Sequence, residues 1–139
     1  VTHAATHRAI HEAFSRRNFD EVAAKQHPST EYRDRARQLT ANGPAESIDY
    51  LKGWTTAFSD AVFADGMYLD GTDHSVSFCT MRGTNDGPFG PFPATGSTVG
   101  VPLCEVFHYD ADGQVIGADL FYDATAFLVQ LGHAEAPPA

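Results

Sequence analysis

In the first sixteen residues the apolar positions fall at Ala5, Ala9, Ile10, Ala13 and Phe14. That spacing puts them on one stripe of a helix and predicts a helix over residues 2–16, with Thr2 placed to cap it. Asn18-Phe19-Asp20 interrupts the pattern; Asp20 can cap a short second helix, Glu21–Gln26, which Pro28 stops. Thr30–Leu39 reads as a strand with Tyr32, Asp34 and Ala36 on one face and Arg33, Arg35 and Arg37 on the other. Asn42-Gly43-Pro44 is a turn, and Pro44 suits the first turn of the helix traced over 45–58 by Ile48, Leu51, Trp54, Thr55 and Phe58.

Beyond that helix the period falls to two. Val62–Asp70, Ser75–Asn85, Thr98–Tyr109 and Gln114–Tyr122 are four strand candidates separated by Gly, Asp and Pro signals. Asp110-Ala111-Asp112-Gly113 is a tight hairpin turn, and Gly87–Gly96 a longer loop rich in proline and glycine. Asp123 caps a closing helix, Ala124–Leu131, which Gly132 ends. The order is helix, helix, strand, helix, antiparallel meander, helix, which predicts one α+β domain over 1–139 with a flexible tail at 133–139. A sheet curled around a long helix leaves a concave interior for a ligand.

The overall charge narrows the choice of partner. A net charge of −9 argues against nucleic acid, which needs clustered Lys and Arg, and against an anionic membrane surface. The apolar runs fall short of the ~18 residues of a membrane helix, and no leader is visible. Cys79 and Cys104 show neither redox nor metal spacing, and read as two buried thiols in a reducing cytoplasm. His3, His7 and His11 recur every four residues. They could in principle hold a metal between them, but the row is read as a solvated helix face, with no metal. No P-loop, dinucleotide glycine motif or Ser-His-Asp spacing is present, and no cofactor is implied.

Several short stretches carry a family resemblance. They are Glu12-Ala13-Phe14 with Asn18-Phe19-Asp20, Gly83-Thr84 with Gly87-Pro88-Phe89, and Pro93-Ala94-Thr95-Gly96. The strongest is Asp119-Leu120-Phe121-Tyr122-Asp123 running into Gln130-Leu131-Gly132. In this order the sequence resembles SnoaL-like polyketide cyclases, within the cone-shaped fold of nuclear transport factor 2 (NTF2). The resemblance implies a curved antiparallel sheet around a long helix. It also implies a cofactor-free intramolecular aldol-type ring closure of a hydrophobic, polycyclic polyketide-like substrate, with Asp119 as general acid/base.

Desolvation in an apolar pocket would raise such a carboxyl and suit it to proton transfer; the alternative is an acid at a strand end paired with an arginine. Arg82 could stabilise an enolate oxygen or orient Asp119, or pair with a buried Asp34. Tyr32 could donate to a substrate carbonyl or be an aromatic core residue. Trp54, Phe58, Phe78, Thr80, Thr84, Phe89, Phe92 and Phe121 are the candidate pocket lining, with Phe89 and Phe92 as a lid or a partner contact. A limonene-type epoxide hydrolase is disfavoured because Thr84 stands where a second carboxylate is needed; a non-catalytic binding module is the other alternative. Val106, Leu120 and Met81 on an outer sheet face would need covering, which predicts a homodimer or homotetramer. Glu105 and His108 receive no role.

Overall fold

The computed structural model describes all residues, 1–139. Helix α1 spans His3–Ser15, and the Thr2 side chain accepts from the Ala5 N–H at 3.0 Å. Helix α2 spans Phe19–Ala24 and is capped by Asn18, which accepts from the Glu21 N–H, so Asp20 lies inside the first turn instead. It ends early because Gln26 already belongs to strand β1, Gln26–Asp34. Pro28 therefore sits in a strand, in the stretch between Gln26 and Glu31 where the register shifts, as its missing N–H requires.

The strand predicted over 30–39 is in fact a hairpin. β1 turns through Arg35–Gln38, with Gln38 at φ 57°, into strand β2, Leu39–Asn42. The turn carries Arg37 round to Asp34, away from the face shared by Arg33 and Arg35. Helix α3, Gly43–Ala57, starts with Pro44 in its first turn. The remaining strands are β3 (Val62–Asp70), β4 (His74–Thr84), β5 (Thr98–Tyr109) and β6 (Val115–Phe121). Helix α4, Ala124–Leu131, is capped by Asp123 and closed by Gly132 at φ 87°.

The six strands form one curved sheet in the order β2-β1-β6-β5-β4-β3, antiparallel except for β1 beside β6. Helices α1 and α3 pack on one face, and together they enclose an α+β cone. Alternation assigns the faces. Ser75, Ser77, Cys79 and Met81 on β4 are buried, as are Val99, Val101, Leu103, Glu105, Phe107 and Tyr109 on β5. They meet Ile10, Phe14, Leu51, Trp54 and Phe58 from the helices.

This assignment corrects several expectations. Phe78, Thr80, Arg82 and Thr84 lie on the outer face, with Phe78 and Arg82 exposed. Asp119 and Phe121 lie there too, while Met81 and Leu120 point inward and are buried. The two cysteines stand on opposite faces and are free thiols. No helix is long and apolar enough to cross a membrane.

Candidate active site

His7 and His11, one helical turn apart, share the apolar stripe of α1 and point into the cone, where both are buried. Glu105 comes from the inward alternation of β5, beside Ser77 on one side and Leu120 on the other. His7 Nε2 lies 3.0 Å and His11 Nε2 2.6 Å from the same oxygen, Glu105 Oε1. The Tyr32 hydroxyl donates to the second oxygen, Glu105 Oε2. Each imidazole has a further partner: His7 Nδ1 is 2.7 Å from Ser75 Oγ, and His11 Nδ1 is 2.7 Å from the Tyr68 hydroxyl. Two members of the row read from sequence as a solvated face, His7 and His11, are thus buried inside the cone. The row's first member, His3, is partly exposed and stacks on Tyr109 with ring centroids 4.0 Å apart.

The electrostatics follow from these contacts. Burial works to raise the Glu105 carboxyl, but the hydrogen bonds and charges of His11 and His7 outweigh it and hold it well below the usual carboxylate range. Burial pushes the His7 imidazole down, opposed by Glu105. Burial pushes the Tyr68 phenol up to about 12, with the guanidinium of Arg8, 4.5 Å above its ring, pulling the other way.

The cone is nearly full. Beside the cluster a void of about 20 Å³ is bordered by Gln26, His11, Tyr32 and Glu105, and a second of about 10 Å³ lies among Phe14, Trp54, Met81 and Leu120. Space for a ligand opens instead between α1 and β3, as a cleft of about 450 Å³ lined by Arg8, His11, Glu12, Ser15, Phe63 and Tyr68 among others. His11 and Tyr68 therefore connect the cleft to the buried carboxylate.

The site residues expected from sequence fall in different places. Tyr32 is inside, on Glu105. Asp34 is inside, but at the end of the cone beside the β1–β2 turn, away from the cleft between α1 and β3. It accepts from the Tyr50 hydroxyl at 2.7 Å, the Tyr122 hydroxyl at 2.8 Å, Arg37 Nε at 3.0 Å and the Arg37 N–H at 2.9 Å. Trp54, Phe58 and Phe89 are buried core side chains around Phe127. Phe89 is a plug at that end and not an exposed lid, and Phe92 rests half-buried against His133. Arg82 pairs with Asp65 at 2.7 Å in solvent and reaches neither Asp34 nor Asp119.

Asp119 departs most from expectation. Its carboxylate is on the outer face, gripped by Arg33 Nε at 2.8 Å, Arg35 Nε at 2.8 Å and His108 Nε2 at 3.1 Å. The Arg33 hydrogen bond in particular holds it well below the usual range, opposite to the upward shift expected from an apolar pocket. Leu120 holds the inward position beside it. His11, Glu105 and Tyr68 were missed as a set.

A match of the family model for SnoaL-like polyketide cyclases covers residues 4–131. The chain belongs to that family. Three solved structures illustrate the shared fold. AclR from Streptomyces galilaeus, a proposed hydroxylase, is 20% identical with a TM-score of 0.83, over 98% of this chain and 84% of that one. A proposed SnoaL-like polyketide cyclase from Jannaschia sp. CCS1 is 25% identical with a TM-score of 0.75, over 86% and 80%. IdmH from Streptomyces antibioticus, a proposed polyketide cyclase, is 16% identical with a TM-score of 0.81, over 95% and 99%. No curated protein matches the sequence. In this SnoaL-like chain an inward acid is provided by β5, as Glu105, and β6 presents Val115, Ala118 and Leu120, none of them acidic, to the interior.

Proposed function

We propose that this SnoaL-like chain is a cofactor-free enzyme that moves a proton to close a ring by an intramolecular aldol-type reaction, and that Tyr68, His11 and Glu105 are its acid–base relay. The observation that carries the reading is the unbroken line from the cleft to the buried carboxylate: Tyr68 hydroxyl, His11 Nδ1, His11 Nε2, Glu105 Oε1, at 2.7 and 2.6 Å. A hydroxyl, an imidazole and an orienting carboxylate in hydrogen-bond contact are the general arrangement for activating a poor base. The substrate is a hydrophobic, polycyclic polyketide-like molecule bound in the cleft, whose volume of about 450 Å³ lies within the usual range for small-molecule sites.

In the forward step the Tyr68 oxygen takes the proton from the carbon beside a substrate carbonyl as its own proton passes to His11 Nδ1. The resulting imidazolium is stabilised by Glu105. The enolate attacks the second carbonyl, and the new alkoxide takes a proton from Tyr68 as His11 returns the one it held. One C–C bond forms, one proton moves from carbon to oxygen, and no electron or water is gained or lost. A relay of this kind supplies roughly 10²–10⁴-fold in rate.

The test is deuterium exchange, followed by NMR, at the acidic carbon of a polycyclic aromatic β-keto ester, with wild type, Tyr68→Phe and His11→Phe. Loss of roughly 10²-fold or more in Tyr68→Phe with an unchanged melting curve is expected. Exchange in Tyr68→Phe as fast as in wild type, or no acceleration by wild type, would sink the assignment.

A further inference from the structure

The buried cluster also constrains the direction of its own hydrogen bonds. The His3 carbonyl cannot donate, so the Tyr109 hydroxyl 3.1 Å away gives its proton there. Ser75 Oγ, 2.8 Å from that hydroxyl, must then donate to Tyr109. With its only proton committed, Ser75 accepts from His7 Nδ1. In a neutral His7 ring Nε2 is therefore a bare lone pair, yet it faces Glu105 Oε1 at 3.0 Å, an oxygen that His11 Nε2 also approaches. Close by, Gln26 donates to Ser47 and leaves its own Oε1 buried without a partner. Gln26 borders the same void of about 20 Å³ as His11 and Glu105. Acceptors converge here, and something positive has to lie among them.

We propose that His7 Nε2, His11 Nε2 and Glu105 Oε1 bind a divalent transition-metal ion of the zinc class, with a water in the adjoining void as its fourth ligand. Two imidazoles and one carboxylate with a position left for water are a known donor set for such ions. The candidate ligand atoms all lie within 4.8 Å of one another. The second nitrogen of each ring is already held, by Ser75 and by Tyr68, as metal-binding histidines usually require. The void is large enough for one water, and a metal-bound water has protons to give to Gln26 Oε1. A second proton on His7 would satisfy Glu105 but would leave Gln26 unpartnered. His11 and Phe63 border both the void and the open cleft, which gives the ion a route in.

An ion on His11 Nε2 leaves the ring proton on Nδ1, the atom that must accept from Tyr68 in the relay, so metal binding and proton transfer exclude each other. The inference does not depend on the reaction proposed above, because its readout is spectroscopic. The metal-free full chain is titrated with Co²⁺ at neutral pH, followed by displacement with Zn²⁺. Wild type is expected to take up one equivalent with the visible bands of a four-coordinate nitrogen–oxygen site. Ser75→Ala, which keeps all three ligands but removes the partner of His7 Nδ1, is expected to bind roughly 10–100-fold more weakly while keeping the wild-type circular dichroism. Absence of those bands in folded wild type, with nitrogen NMR showing His7 doubly protonated, would overturn the site. So would equal affinity in Ser75→Ala, which would place the ion on exposed imidazoles such as His74.

Discussion

Glu105→Gln is the sharpest perturbation of the buried cluster. The carboxylate accepts from Tyr32 at one oxygen and from His11 at the other, has His7 Nε2 3.0 Å from that second oxygen, and is 3% exposed. The amide keeps the shape but turns one acceptor into a donor. It then meets either the Tyr32 O–H or the His11 N–H head on. Breaking a buried charged pair from one side costs about 3–5 kcal/mol. A chain of 139 residues unfolds with an entropy of about 0.3 kcal/mol/K, so the melting temperature should fall by roughly 10–17 °C.

The pH dependence gives a second, independent check. The folded-state carboxyl lies below its unfolded value of about 4.5. The stabilisation from its ionised form is therefore fully present above that pH and drains away as pH falls toward the folded value. The gap between wild type and Glu105→Gln, read by circular dichroism melts from neutral pH down to about pH 3, should stay wide above 4.5 and narrow below it. A gap under about 1 kcal/mol at neutral pH, or one that does not change with acid, would show that Glu105 does not hold the cluster together.

Asp119→Asn should leave deuterium exchange within about twofold of wild type, since the carboxylate faces away from the cone. It should cost about 1–2 kcal/mol in chemical denaturation, because Arg35 is half exposed and solvent weakens the pairing; loss of exchange in a folded variant would return the catalytic role to this residue. On the outer face Met67, Phe78, Cys104 and Phe121 fall in register across four strands, and Met67, Phe78 and Phe121 are exposed. Phe121→Glu should shift a homo-oligomer toward monomer in sedimentation velocity by about 2 kcal/mol, roughly thirtyfold in Kd; a wild-type chain that sediments as a monomer at high concentration would rule this surface out as the contact.

Most of the fold was legible because its elements carry clear periods and caps: Thr2, Asp123 and Gly132 act where the sequence put them. The β1–β2 hairpin was not, since nothing but the positive φ of Gln38 marks the turn inside 30–39, and glutamine does not announce such a turn. Asp119 was assigned to the wrong face for a more general reason. Alternation separates two faces of a strand but does not name the inner one. On β6 both parities are apolar, with Val115, Gly117 and Phe121 against Ile116, Ala118 and Leu120, so Asp119 could be assigned to either side.

On β5 the ambiguity was absent. Val99, Val101, Leu103, Phe107 and Tyr109 share one parity with Glu105, and six residues of one parity, five of them apolar, can only face a core. An acid in that row has to be met by donors from whatever packs on it. The helix that packs there carries His7 and His11 on its buried stripe, bracketing Ile10 and ahead of Phe14. In the site proposed here the anomalous strand acid is Glu105, not Asp119. Its partners could be found by asking which helix stripe mixes histidine with large apolar residues.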